Sequence, residues 1–76
     1  MRRAKELFTE AAKPSKNEVL RYYVIYKGAA ELSIDEHGKY HVVVVRDKEV
    51  LEKLTKSFKD VNESKNYIYK LKRSTR

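Results

Sequence analysis

His37 and His41 are the residues of this chain best suited to acid–base or metal chemistry, because a neutral imidazole titrates near pH 6.5 and can take up and return a proton. A spacing of four would put both rings on one face of a helix, as a metal pair requires. Gly38 stands between them, however, in the turn-forming run Asp35-Glu36-His37-Gly38, so they do not share such a face. The chain has no cysteine to add a ligand, and neither a metal nor another cofactor is expected. His37 reads as a solvated turn residue. His41, beside Tyr40 on a predicted strand, has the chemistry of a general base, as in a small ribonuclease, but the sequence arranges no second residue to orient it. Ser15, Ser33, Ser57, Thr9 and Thr55 belong to no nucleophile motif, so the expectation is a protein without enzymatic activity.

Charge is the stronger signal. The net charge is +7, and it sits at the two ends. Residues 1–17 hold five Lys or Arg against two Glu, residues 18–62 hold eight against eight, and residues 63–76 hold five against one. Lysines and arginines so clustered suit phosphate, since each neutralised phosphate releases condensed counterions. Lys70, Lys72, Arg73 and Arg76 are the leading candidates for nucleic-acid contact, followed by Arg2, Arg3 and Lys5. If the two ends are adjacent in the fold, they form one positive patch.

Six tyrosines accompany this charge. On strands, Tyr22 and Tyr26 would share one face, as would Tyr67 and Tyr69, and exposed rings there could stack on unpaired bases. Tyr67 and Tyr69 adjoin the basic C-terminal segment and join the candidate site. The competing reading is that strand tyrosines fill the edge of a core and leave the hydroxyl in water.

The elements that would position these side chains follow from periodicity. Ala4, Leu7, Phe8 and Ala11 make one helical face over residues 3–12, which Pro14 stops near Ala12, with a loop over 14–17. Leu20 to Tyr26 is rich in aromatic and β-branched residues and predicts a strand. Ala30, Leu32 and Ile34 alternate with Glu31, Ser33 and Asp35 and predict a second, solvated on its Glu31 side. Tyr40 to Val45 carries four successive valines and predicts a third strand, covered on both faces. Asp47 is placed to cap a helix over about 48–60 with the stripe Val50, Leu51, Leu54, Phe58 and Val61. Asn62 to Asn66 breaks the pattern, and Tyr67, Tyr69 and Leu71 alternate as a last short strand. The expected fold class is α+β: a helix, a three-stranded antiparallel sheet, a helix packed on the sheet and a final short edge strand.

Residues 1–76 are too few for two cores, so one small basic domain is expected. Such a chain is marginally stable as a monomer and would gain from forming a homodimer. No apolar run reaches the roughly 20 residues that cross a bilayer, and the absence of cysteine suits a reducing compartment. An intracellular protein, cytoplasmic or nucleoid-associated and without a membrane partner, is expected. The order of elements does not fit the RNA-recognition fold, and no zinc-finger spacing, basic region with heptads or glycine-rich phosphate loop occurs. The function expected is a small nucleic-acid-binding accessory protein that contacts phosphates through its basic N- and C-terminal segments. The alternative is a protein-interaction module, such as a host-directed factor of a virus or mobile element, that docks on an acidic protein partner or pairs its last strand with another chain.

Overall fold

The computed structural model describes residues 3–10 and 16–73. Seven elements follow in chain order: α1 (Ala4–Thr9), β1 (Glu18–Ile25), β2 (Gly28–Ile34), β3 (Tyr40–Arg46), β4 (Glu49–Val50), β5 (Lys56–Phe58) and α2 (Val61–Arg73). The class is α+β. The strands make one antiparallel sheet in the order β1-β2-β3, with β4 and β5 both beside the outer side of β3. None of the described helices is long and apolar enough to cross a membrane.

Alternation along the strands splits the sheet into two apolar faces. Tyr23, Ile25, Ala30, Leu32, Val42 and Val44 point to one side, where Ile68 and Leu71 of α2 cover them. Ala29 and Val45 point to the other, where Phe8 of α1 packs with Tyr22, its ring centroid 5.4 Å from that of Tyr22. The two helices therefore lie on opposite faces. This explains the four valines of β3, which divide two and two between the cores. It also corrects the expectation for β2, whose Glu31 side is not solvated: Glu31 and Ser33 are fully buried on the α1 side.

Two segments exchange their expected states. Residues 48–60 are not helical. Asp47 and Lys48 both adopt left-handed backbone (φ 49° and 65°), the signature of a two-residue turn of the type that matches strand twist, and the chain returns as β4. Residues 51–55 bulge away from the sheet, yet they satisfy its ladder: the Leu51 N–H donates to the Val44 carbonyl at 2.8 Å, and the Val44 N–H donates to Thr55 Oγ1 at 3.2 Å. Had this segment been a helix, the outer backbone groups of β3 would have lost these partners, a cost that outweighs a helical apolar stripe.

Residues 61–73 form a helix and not a strand. Asp60 caps it, with Oδ1 accepting from the Asn62 N–H at 3.1 Å. The buried residues Ser64, Ile68 and Leu71 fall at the i, i+4, i+7 spacing of one helical face. The alternating reading put Ile68 outside with the lysines, whereas it is fully buried. The short edge strands therefore precede the sheet-packed helix instead of following it.

Gly28 opens β2 where the chain passes very close to β3. A Cβ there would lie 1.8 Å from the Val45 carbonyl oxygen, so only glycine fits.

Candidate functional site

Because Ser64, Ile68 and Leu71 turn inward, the helical period carries Asn66, Tyr69, Lys70 and Arg73 outward, where they line one shallow cleft of about 360 Å³. Tyr69 is 52% exposed, although a large apolar ring would gain from burial. Lys72 lies on the flank of this stripe, with Nζ 5.7 Å from the Tyr69 ring and 5.3 Å from the Tyr23 ring. Arg21 on β1 stacks over Tyr23 from the strand side at 5.1 Å, which brings a strand cation into the same surface. Lys70, Lys72 and Arg73 sit in the last turn, where the helix dipole favours cations, and Glu63 sits in the first, where it favours an anion.

The structure gathers some of the residues expected at a nucleic-acid site and separates others. Tyr69, Lys70, Lys72 and Arg73 lie together. Tyr67 is half-buried at the border of this surface: its hydroxyl donates to the Leu54 carbonyl and its ring packs against Phe58 at 5.4 Å, while it lines a second cleft with Asn66 and Lys70. Burial pushes the Tyr67 phenol up, partly opposed by the Arg46 charge. Arg3 and Lys5 belong to the α1 segment, across the sheet from α2, so they do not extend the α2 patch. Arg2 and Arg76 lie outside the described residues. The pairing of Tyr22 with Tyr26 also fails, since Tyr22 packs on Phe8 and Tyr26 lies in the β1–β2 turn, under Lys27 and Arg46. Arg21 and Asn66 went unnoticed in the sequence; a helical reading of 61–73 would have found Asn66, but only the fold brings Arg21 in.

A second constellation lies at the other end of the strands. His41 on β3 pairs in register with Ser57 on β5, and Asp35 follows β2 at the start of the β2–β3 turn. Ser57 Oγ is 2.8 Å from His41 Nδ1, and His41 Nε2 is 2.8 Å from Asp35 Oδ2. Asp35 Oδ1 accepts the His37 N–H at 2.8 Å and the Lys39 N–H at 2.9 Å, so the whole carboxylate is held. The His41 hydrogen bond, with the Lys39 N–H next in strength, holds the Asp35 carboxyl down to about 2 from an ordinary 3.8, against the opposing effect of burial. Asp35 is therefore ionised at neutral pH and can only accept, so His41 donates to it through Nε2–H, and in the neutral imidazole Nδ1 is then the acceptor of the Ser57 hydroxyl. The expectation that nothing orients His41 is thus corrected. His37, by contrast, is exposed in the turn, 3.6 Å from Glu36.

Glu31 is the third unusual group. Its carboxylate is fully buried beside the Tyr22 hydroxyl, and burial, followed by the hydrogen bond to Glu31 and the Glu31 charge, pushes the Tyr22 phenol up. Among the described residues, no three His, Asp or Glu are grouped to hold a metal ion. Comparison with family models, curated proteins and solved structures returns no match.

Proposed function

We propose that the protein binds nucleic acid through the outer face of α2. The observation that carries this reading is the stripe of Asn66, Tyr69, Lys70 and Arg73 with Lys72 and Arg21 beside it. Lysines and arginines supply phosphate contacts, an exposed tyrosine supplies a ring for a base, and asparagine supplies both a donor and an acceptor for a base edge. The lone acidic residue of α2, Glu63, is in the first turn, so the C-terminal half of the helix carries Lys70, Lys72 and Arg73 with no acidic residue among them. Such a partner fits a role in the cytoplasm or on the nucleoid.

The test is fluorescence anisotropy with labelled single- and double-stranded DNA and RNA. If Arg21, Lys70, Lys72 and Arg73 neutralise four phosphates, affinity for a duplex should fall roughly 100-fold between about 50 and 200 mM salt. The triple variant Lys70→Ala, Lys72→Ala, Arg73→Ala should weaken binding and flatten the salt slope by about three contacts. Binding that ignores salt, or that is unchanged in the triple variant, would overturn the reading, and no binding at the lower salt would favour an acidic protein as the partner.

A further inference from the structure

Ser57, His41 and Asp35 come from three separate stretches of chain, and the sheet aligns them into one hydrogen-bonded relay. We propose that this relay is an acyl-transfer site for small esters, with Ser57 as nucleophile, His41 as general base and Asp35 as the residue that positions the imidazole. The α2 surface has no part in this proposal, which stands independently of nucleic-acid binding.

Geometry supports each role. The nucleophile must have its proton within reach of a base whose other nitrogen is fixed by a third group. Both links are 2.8 Å. The ring meets the carboxylate through Nε2 and the serine through Nδ1, and either nitrogen can serve as the base once the other is held protonated. Asp35 is itself held by two backbone N–H groups, so the imidazole is anchored to the turn and not to a swinging side chain. The His41 side chain is 28% exposed and Asp35 17%, which shelters the relay while Ser57 is exposed to a substrate.

The pleat supplies a donor for the developing oxyanion. The N–H and C=O of Val44 both face the β4–β5 side. Alternation makes Val42 and Tyr40 face that side too, while His41 turns its backbone to β2. Ser57 opposite His41 is then a non-hydrogen-bonded position, with close side chains and with its own N–H on the open edge of β5, next to its Oγ.

In the reaction, the Ser57 oxygen bonds to the ester carbonyl carbon as its proton passes to His41 Nδ1, and the carbonyl electrons move onto oxygen. The tetrahedral adduct collapses, the bond to the alkoxy oxygen breaks, and that oxygen leaves as alcohol with the proton from Nδ1. Water, deprotonated by Nδ1, attacks the acyl-serine in the same way and releases the acid while Ser57 regains its proton. The net change is ester plus water to acid plus alcohol.

The test uses the folded, full chain with an alkyl fluorophosphonate and with p-nitrophenyl acetate. The expected result is one fluorophosphonate adduct mapping to Ser57, with a turnover of the acetate that is lost in Ser57→Ala and falls at least tenfold in His41→Ala. Circular dichroism checks that each variant is folded. Because the chain has no cysteine, Ser57→Cys gives an independent reading: its thiol should react with iodoacetamide faster than a free cysteine peptide, and lose that advantage with His41→Ala. For Asp35, ¹⁵N NMR should find the His41 proton on Nε2 in the parent and shared between both nitrogens in Asp35→Asn. Absence of an adduct at Ser57, a Ser57→Cys thiol no faster than the free peptide, or ester turnover that survives Ser57→Ala but needs His41 would each overturn the proposal.

Discussion

Ser57 and His41, sixteen residues apart, meet at 2.8 Å because β5 pairs with β3 in antiparallel register. The contact depends on residues 51–55 bulging out between β4 and β5, since that bulge sets which residue of β5 faces His41.

Asp35 makes the acid limit of stability predictable. Its carboxyl is held at about 2 when folded against an ordinary 3.8, so its contribution is complete above about pH 4 and lost as pH falls toward 2. Urea midpoints measured at pH 6, 4, 3 and 2 should fall most steeply below pH 4 in the parent. Asp35→Asn should be less stable at pH 6 and have a shallower decline at low pH. Parallel curves for the two proteins would refute this assignment.

Tyr67 and Tyr69 should separate stability from binding. Tyr67→Phe removes the hydrogen bond to the Leu54 carbonyl and should cost about 0.5–1.5 kcal/mol of stability with unchanged nucleic-acid affinity. Tyr69→Ala should leave the thermal midpoint nearly unchanged and cost about 1–3 kcal/mol of binding to single strands if its ring stacks on a base. Denaturant titration and anisotropy on the same preparations decide both.

Ile68 tests whether α2 is held by its apolar face. It is fully buried between α2 and the sheet, and Ile68→Ala should destabilise by about 2–5 kcal/mol, a large fraction of the stability of a chain of this size, read as a drop in the urea midpoint. Lys70→Ala, on the same helix but exposed, should change stability by no more than about 0.5 kcal/mol.

Gly28 should not accept even one methyl. Because a Cβ would lie 1.8 Å from the Val45 carbonyl oxygen, Gly28→Ala must push β2 from β3 and should cost at least about 1–3 kcal/mol, read as a drop in the urea midpoint.

Lys48 offers the opposite sign. It sits at φ 65° in the β3–β4 turn, a conformation that costs a side-chain-bearing residue roughly 1 kcal/mol relative to glycine. Lys48→Gly should therefore raise the thermal midpoint, and a fall would show that the Lys48 side chain contributes a contact that outweighs this strain.

Some of this protein was decided by local chemistry and was legible in its residues. Phe8 and Leu7 mark α1 by helical spacing, the apolar and β-branched runs mark β1 to β3, Gly38 marks the β2–β3 turn, and the charge of 63–76 marks the basic surface. The remainder depended on partners distant in sequence. The stripe Val50, Leu51, Leu54 and Phe58 has the spacing of a helix, yet the open edge of β3 draws Val50 and Phe58 into the sheet, with Leu51 and Leu54 in the bulge between them, because unpaired strand groups cost more than a short helix returns. Tyr67 and Tyr69 look alternate along a strand, but the full burial of Ile68 and Leu71 against β1 and β3 requires a helix, which turns one ring inward and the other out. Glu31 has the position of a solvated strand residue, and only the packing of α1 on that face reveals it as buried. The relay of Asp35, His41 and Ser57 likewise has no local signature: its residues are 6 and 16 apart, and strand register alone brings them within hydrogen-bond reach.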